Sequence, residues 1–448
     1  MDRRQFLVAT VGTLAATRAW AHHGAGDTHG GHTPAAREPA PAATAATPPP
    51  APDPSLVYRD PRIRTPVVTP DGATLGWRAV GGVKVFHLVA GSFLHEFAPG
   101  LVLEAWGYNG RTPGPTIEVV EGDRVRLYVT NRLPEATTVH WHGVRLPNGM
   151  DGVAGLNQKA IPPGETYRYE FTFKRPGTFM YHPHADEMVQ IGLGLTGMIV
   201  VHPRRADRVV ERDFALMLLE WKARAGQRRP DPREMSEFNV LTINSKSFPG
   251  TSPLVVRTGQ KVRVRICNLS AMSNHPIHLH GYSFRVTGTD GGAVPPSAAW
   301  PETTVVVPVG AVRDVEFVAD APGDWALHCH FTHHIMNQMG HEGPNMVGID
   351  PTGLDERLRS VLPGYMTMGH TGMGGMGEHG MPVPPNSIPM RGAPGRHGYI
   401  DMGGMFTVLK VRDGIRSYED PGWYENPPGT VATRATEEEL ARDGVVSG

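Results

Sequence analysis

Two parts of this chain repeat the same pattern of residues, and the repeat limits what the chain can fold into. Residues 122–131 match residues 259–268 at an offset of 137, with apolar residues at alternate positions in both. Residues 164–184 match residues 310–330 at an offset of 146, and each stretch ends in a His-x-His motif. Alternation with a period of two is typical of half-buried strands. The repeat therefore predicts an all-β chain built from two tandem sandwich domains.

The same repeat sets the expected division of the chain. We expect a first domain over 80–205 and a second domain over 206–350. We expect a Met-rich insert over 351–401, a closing strand of the second domain over 402–412 and a tail without a site signature over 413–448. Helical patterning is scarce, and it predicts helices only over 352–361 and near 436–442.

The N-terminal residues are similar to an export signal. Paired Arg3 and Arg4 precede an apolar run over 6–16 and an Ala-x-Ala motif over 19–21. We interpret 1–21 as a twin-arginine signal peptide, which implies a periplasmic or extracellular protein. The apolar run is shorter than the roughly 20 residues that a membrane span needs, and no later run approaches that length.

Composition excludes several classes of protein. Lys and Arg number 43 against 44 Asp and Glu, a balance that argues against a nucleic-acid binder. With only Cys267 and Cys329, the chain has neither a disulfide scaffold nor a cysteine-only metal cluster. The arm and lead-in over 22–79 begin with a stretch rich in Ala, Pro and His over 22–54, which we expect to be disordered. The unusual counts are 22 His and 19 Met, both metal-binding side chains.

Ten of the histidines fall into four clusters. On a strand, residues two apart point to the same side, so each His-x-His pair brings two imidazoles to one place. Such pairs at matching points of two repeated domains indicate metal binding far more strongly than a single histidine would. The four clusters contain His140 and His142; His182 and His184; His275, His278 and His280; and His328, His330 and His334.

The last cluster also contains a thiol and a thioether. Cys329 lies between two histidines, so its sulfur points away from them, and His334 and Met339 follow on a loop. With His275 from a neighbouring loop, these residues provide the His2Cys set with an axial Met that is typical of a blue copper centre. The other eight histidines, His140, His142, His182, His184, His278, His280, His328 and His330, form an all-imidazole set that would suit copper, zinc or iron.

All four clusters resemble the copper-binding motifs of multicopper oxidases, and the short interval between clusters is similar to that of the two-domain, small-laccase type. The resemblance implies two cupredoxin-like Greek-key sandwiches and four coppers per functional unit. Type 1 copper would take His275, Cys329, His334 and Met339. Type 2 copper would take His140 and His278, and the type 3 pair would take His142, His182, His184, His280, His328 and His330. The implied reaction couples four one-electron substrate oxidations to the reduction of O2 to water.

The repeat places the type 1 site in the second domain. An offset of 146 takes Cys329 to Pro183 and His334 to Met188, so the first domain lacks these ligands. Copper nitrite reductases, which this chain resembles in having two β domains, have the reverse arrangement, with type 1 copper in the first domain. Only 91 positions separate His184 from His275, too few for the extra sandwich of three-domain laccases. Similarity to small laccases implies a homotrimer with each trinuclear cluster at a subunit interface.

Reduction of O2 consumes protons, so we expect an acid near the cluster. Asp151 follows His142 after a short turn, matches the family's acidic position, and is predicted to donate protons or orient water; a turn Asp bonded to its own backbone is the alternative. The position after His334, often Glu in cuprous oxidases, is Ile335 here, which leaves Glu302 as a weak second acid. Cys267 is expected to be a buried, inert thiol.

Eight methionines lie close together near the end of the chain, at 366, 368, 373, 376, 381, 390, 402 and 405. Thioethers favour Cu(I), so the stretch is interpreted as a shuttle that delivers cuprous ion to type 1 copper. A flexible loop that limits access of phenols is the alternative. The expected substrate is therefore Cu(I) or another metal ion in copper tolerance, with laccase-type phenol oxidation as runner-up. A copper-storage or carrier protein is the rival from another class, although storage does not need Cys329.

Overall fold

The computed structural model describes residues 45–205, 209–223, 227–234, 238–337, 357, 360, 361 and 386–445. Its strands are β1 (Val67–Val68), β2 (Trp77–Val80), β3 (Val83–Ala98), β4 (Leu101–Tyr108), β5 (Gly114–Val120), β6 (Arg124–Asn131), β7 (Thr166–Thr172), β8 (Gly177–Tyr181), β9 (Gly197–His202), β10 (Arg212–Trp221), β11 (Val240–Ile243), β12 (Leu254–Arg257), β13 (Lys261–Asn268), β14 (His275–Leu279), β15 (Phe284–Thr289), β16 (Gly292–Ala293), β17 (Trp300–Glu302), β18 (Thr304–Val307), β19 (Val312–Val318), β20 (Gly323–Cys329), β21 (Pro394–Gly395), β22 (Gly398–Tyr399) and β23 (Phe406–Arg412). Among the described residues, the α-helices include α1 (Glu187–Gly192) and α2 (Glu437–Arg442), both short.

The strands form two sandwiches, as the repeat predicts. In the first, a sheet of order β2-β3-β6-β7, with β4 also on β3, lies with the sheet β5-β9-β8. In the second, the sheet β1-β10-β13-β19-β15-β16, with β11 and β17 at its sides, lies with the sheet β12-β23-β20-β14-β18. Each sandwich has its own cluster of buried apolar side chains. The all-β class is therefore confirmed.

Strand register reproduces both sequence offsets. Val125 of β6 is paired with Phe171 of β7, and Val262 of β13 is paired with Phe317 of β19. Moving from the first pair to the second shifts one partner by 137 positions and the other by 146. The alternating apolar residues on β6 and β13 are buried in the two cores. The repeated sequence thus encodes repeated strand pairs, because a one-residue slip would turn every apolar side chain to the wrong face.

Two differences from the sequence predictions concern short segments. Residues 45–54 lie within the arm expected to be disordered, yet Thr47 exchanges hydrogen bonds with Leu94 of β3. Helix α1 was not predicted, because it has only six residues and they do not form an apolar stripe. Helix α2 agrees with the prediction near 436–442, and Thr436 and Glu439 form a capping box at its start. Residues 1–44, including the predicted signal peptide, and nearly all of the helix predicted over 352–361 lie outside the described residues.

The C-terminal tail contacts the second sandwich. The Tyr424 N–H donates to the Asp324 carboxylate, and Lys410 of β23 pairs with Asp420 at 2.6 Å. The predicted closing strand forms β23, which lies between β12 and β20. In the described part of the chain, no helix is long and apolar enough to cross a membrane.

Candidate metal centre

His140, His142, His182 and His184, here called the first histidine group, converge in the first sandwich. His140 and His182 exchange backbone hydrogen bonds of 2.7 and 3.2 Å, so their flanking segments run side by side. The rings of His142, His182 and His184 lie 5.7, 5.3 and 5.5 Å from that of His140, between centroids. One ligand atom from each of His140, His142 and His182 lies within 4.8 Å of the others.

The second histidine group, His278, His280, His328 and His330, has the same form in the second sandwich. Strand β14 is paired with β20 so that His278 is opposite His328. The rings of His280 and His328 lie 5.2 Å apart, and those of His278 and His330 lie 5.6 Å apart. His-x-His spacing therefore brings the rings together in both sandwiches, as the sequence predicts. In the second sandwich the pairs begin on β14 and β20, whereas in the first sandwich they lie outside the named strands.

Backbone carbonyls fix the orientation of four of these rings. The Nδ1 atoms of His140, His182, His278 and His328 lie 2.7–2.9 Å from the carbonyl oxygens of Asp151, Pro183, Thr303 and Cys329. A carbonyl can only accept, so each Nδ1 carries the proton and each Nε2 keeps its lone pair. Such outer hydrogen bonds are the usual way in which a metal-binding imidazole is oriented. The ring orientations thus fit a bound metal ion.

Burial keeps four of these imidazoles neutral, and metal binding requires the neutral form. Burial lowers the pKa of His182 to about 3, and it lowers the pKa of His142, His280 and His328 below the ordinary value. Neighbouring rings act in the same direction, because each would repel a second positive charge.

His275, Cys329 and His334 form a separate buried set, here called the cysteine set. The Cys329 Sγ lies 3.6 Å from Nδ1 of His275 and 3.4 Å from Nδ1 of His334, and these nitrogens lie 3.2 Å apart. All three residues are buried. One sulfur and two nitrogens that converge on one point fit copper in a blue centre. Met339 lies outside the described residues, so its predicted role as axial ligand stays a prediction.

Burial raises the pKa of the Cys329 thiol to about 12. The Cys329 thiol therefore keeps its proton without a metal, and a bound ion must displace that proton.

Three chain segments hold the cysteine set together. The Cys329 N–H donates to the Met405 carbonyl, and the Met405 N–H donates to the His334 carbonyl. Gly404, with a φ of 57°, lies so close to His334 that an added Cβ would be 2.2 Å from its carbonyl oxygen. Met405 is fully buried in the core of the second sandwich, and Met402 packs against Phe248, Phe406 and Val408. These two methionines therefore differ from the predicted shuttle, because they fill space around β23.

The two histidine groups do not contact each other within the chain: no ring contact among the described residues joins one group to the other. A cleft covers the first group, and Met188, Ser270 and Val309 are among the residues that line it. In the second group, His330 is exposed. Each group is half of the predicted eight-histidine set.

Acidic residues lie beside the first group. The Asp151 carboxylate is 3.5 Å from Nδ1 of His140, to which the Asp151 carbonyl also bonds. Glu187, at the start of α1, lies 3.6 Å from both His182 and His184. The sequence reading missed Glu187, although its position three residues after a His-x-His motif was visible. Glu302 accepts a hydrogen bond from Trp300, and its Oε2 is buried without a partner. Cys267 is fully buried in the apolar core, as expected.

Comparisons with known proteins agree with this geometry. Two multicopper oxidase family models match residues 95–206 and 224–345, which together make up just over half of the chain. Copper resistance protein A of Escherichia coli is 30% identical over 42% of this chain and 39% of its own length. Laccase-20 of Oryza sativa subsp. japonica is 28% identical over 63% of this chain and 48% of its own length. The chain thus matches less than half of the length of these relatives.

A solved structure shares the fold. The blue copper oxidase from Nitrosomonas europaea superposes with a TM-score of 0.55 over 76% of this chain and 91% of its own, at 24% identity. Two tandem sandwiches of cupredoxin type, a cysteine–histidine set and paired histidine groups are the features expected of a multicopper oxidase. The chain belongs to the multicopper oxidase family, a family that uses copper, O2 and a reductant.

Proposed function

We propose that this protein couples four one-electron oxidations of a substrate to the reduction of O2 to water, with four coppers per functional unit. The observation that carries the proposal is the covalent continuity between the two kinds of donor set. Cys329 of the cysteine set is bonded through the backbone to His328 and His330 of the second histidine group. A storage or carrier protein has no need for this connection.

The proposed assignments follow the resemblance. The cysteine set, with Met339, would hold type 1 copper. His140 and His278 would hold type 2 copper, and the type 3 pair would take His142, His182, His184, His280, His328 and His330. When bound, these ions supply one-electron oxidation of the reductant and four-electron reduction of O2.

The protein's own groups would orient the ligands and handle protons. The Asp151 carbonyl holds the proton of His140 at Nδ1, and its carboxylate lies beside the same ring. We propose that Asp151 supplies protons to the oxygen-reducing site and that Glu187, beside His182 and His184, is the second carboxylate. Both side chains are partly exposed, so each can exchange protons with water.

Loss of the thiolate tests the proposed chemistry directly. We expect Cys329→Ser to abolish the intense red-region absorption of the copper-loaded protein and to reduce O2 consumption by at least about 1,000-fold. Cys267→Ser is the matched control, because Cys267 is a buried thiol outside all three donor sets. A Cys329→Ser protein that still consumes O2 at the wild-type rate would overturn the proposal.

Cu(I) is the proposed substrate, in copper tolerance, and a phenol is the alternative. Similarity to a protein named for copper resistance supports the first, and similarity to a protein named laccase supports the second. The deletion that separates them removes 366–385, which contains five of the eight methionines. It keeps Asn386, whose side chain accepts from the Val102 N–H, and Met390, whose carbonyl accepts from the Asn337 N–H.

We expect this deletion to remove oxidation of Cu(I) while oxidation of a phenol is kept or raised, as measured by O2 uptake with each reductant. Unchanged turnover of Cu(I) would exclude the shuttle and would favour the loop that limits access of phenols.

We also propose a homotrimer in which the first histidine group of one subunit meets the second group of its neighbour. The separation of the two groups within one chain supports this assembly, because neither group alone provides eight imidazoles. Exposed apolar residues flank both groups: Met188 and Val309 line the cleft of the first, and Phe331 follows directly after His330 of the second. An exported, periplasmic or extracellular location remains part of the proposal.

A further inference from the structure

The second nitrogen of the His275 ring has a buried hydrogen-bond partner. Nδ1 of His275 faces Cys329 and His334, and Nε2 lies 2.6 Å from the Ser270 hydroxyl oxygen. His275 and Ser270 are 0% and 2% exposed, so water does not compete for this contact. If Nε2 carries the proton and donates it to Ser270, Nδ1 keeps the lone pair that faces the sulfur.

Two further contacts fix the position of Ser270. Its N–H donates to the Asn268 side-chain oxygen at 2.8 Å, and the Asn268 amide donates to the Val307 carbonyl at 2.9 Å. The Glu220 carboxylate accepts from the backbone N–H groups of Met272 and Ser273 at 2.6 and 3.1 Å. The loop that carries the hydroxyl is therefore tied at both ends before the chain enters β14.

The first sandwich contains the same support without the hydroxyl. The Leu133 N–H donates to Asn131 at 2.9 Å, and the Asn131 amide donates to the Ile161 carbonyl at 2.9 Å. Asn131 and Leu133 correspond to Asn268 and Ser270 at the offset of 137, and the position of His275 corresponds to Thr138. Both loops make the same two hydrogen bonds, but only the loop beside the cysteine set has Ser. The hydroxyl is thus not needed for the loop itself.

We propose that Ser270 is a positioning residue of the type 1 site, which holds His275 in the tautomer that presents Nδ1 to copper. The inference rests on the proposed assignment of His275, Cys329 and His334 to type 1 copper. Without the hydroxyl, the Nε2–H would be buried without a partner, and the competing tautomer would place a proton at the metal-binding nitrogen. Outer hydrogen bonds of this kind typically change metal affinity by about 10- to 100-fold.

Titration of the full-length protein with Cu(II) against a competing chelator tests the proposal through the thiolate-to-copper absorption. We expect Ser270→Ala to weaken copper binding at this site by about 10- to 100-fold and to shift the absorption band. Ser270→Thr keeps a hydroxyl and should restore both. Ser273→Ala is the matched control, because it removes a hydroxyl from the same loop without contacting His275.

A readout without copper comes from nitrogen NMR of histidine-labelled protein. The wild-type and Ser270→Thr proteins should show His275 protonated at Nε2, and Ser270→Ala should show a mixture of tautomers. If Ser270→Ala does not fold, Ser270→Cys provides a similar volume with a much weaker acceptor.

Wild-type affinity, band and tautomer in Ser270→Ala would overturn the role of Ser270. Absence of the band from the wild-type protein would instead overturn the proposed type 1 site, so the two failures are distinguishable.

Discussion

At the scale of single residues, His95 links the two sandwiches through a contact with Ser245. Its Nε2 lies 2.7 Å from the Ser245 carbonyl oxygen, and its ring packs edge-on against Phe97. Burial, reinforced by nearby Lys246, lowers the pKa of His95 to about 4. The unfolded chain, with an ordinary histidine pKa of about 6.5, then binds this proton more readily than the folded one.

His95 therefore adds stability above about pH 6.5 that is lost as the pH falls toward 4. We expect His95→Gln, whose amide can still donate to Ser245, to reduce the loss of stability between pH 7 and pH 5. The difference in slope is at most about 1.4 kcal/mol per pH unit. Urea unfolding of the copper-free protein at the two pH values measures it. His397→Gln, at an exposed histidine, should keep the wild-type pH dependence, and an equal slope in His95→Gln would contradict the assignment.

The convergence of the histidines and Cys329 could be predicted from the sequence, because imidazole and thiol side chains are uncommon and a fixed spacing along an extended segment sets the direction in which they point. The described residues of the cysteine set lie together, and so do the four histidines of each histidine group. His140 and His278, which were predicted to share type 2 copper, lie in different groups, so that pairing stays a prediction. The groups that the prediction missed are ordinary polar residues, such as Ser270 and Glu187. A hydroxyl or carboxylate has many structural uses, so only its distance from a ring nitrogen shows which one applies.

At the scale of elements, the turn before β23 lies close to the His334 loop, and only a glycine at this position allows so close an approach. Gly404 has a φ of 57°, and an added Cβ would be 2.2 Å from the His334 carbonyl oxygen. Gly414 has a φ of 60°, but no atom lies within 4 Å of its added Cβ. Substitution of either glycine would strain the backbone, but only substitution of Gly404 would also cause a steric clash.

We expect Gly404→Ala to displace the His334 loop and to lower the type 1 absorption of the copper-loaded protein by more than half. Gly414→Ala should cost only about 1 kcal/mol of strain and should keep the absorption. Visible spectra at matched copper content, together with urea unfolding, measure both effects. Equal spectra for the two variants would show that the close approach of Gly404 does not hold the loop.

Strands could be predicted better than helices because an alternating pattern over seven or eight residues records burial on one face. The pattern on β6 and β13 gave both the strands and their repeated register. Helix α1 has six residues, only one of which, Gln190, is buried, so it has no apolar stripe from which it could be predicted. The pairing of Thr47 with Leu94 was likewise invisible, because a strand edge can accept almost any backbone.

At the scale of the whole molecule, the two histidine groups lie in one chain but do not meet within it. If one group of each subunit meets the other group of a neighbour, a ring of three satisfies every head-to-tail interface. Sedimentation should then give three times the mass of one mature chain, which is 48.6 kDa before the predicted signal peptide is removed. If the two histidine groups of a single chain formed the cluster, sedimentation would give a monomer instead.

Mixing two inactive variants tests which subunits supply each cluster. His140→Ala/His142→Ala damages only the first group, and His278→Ala/His330→Ala damages only the second. In a mixed ring, one interface joins the intact second group of a His140→Ala/His142→Ala subunit to the intact first group of a His278→Ala/His330→Ala subunit. The His140→Ala/His142→Ala subunit also keeps its cysteine set, which is bonded through the backbone to its intact second group. Random mixing at equal amounts after joint refolding should therefore restore O2 consumption to about one quarter of wild type. Clusters built within single chains would leave the mixture as inactive as either variant alone, because no chain would then have all eight histidines.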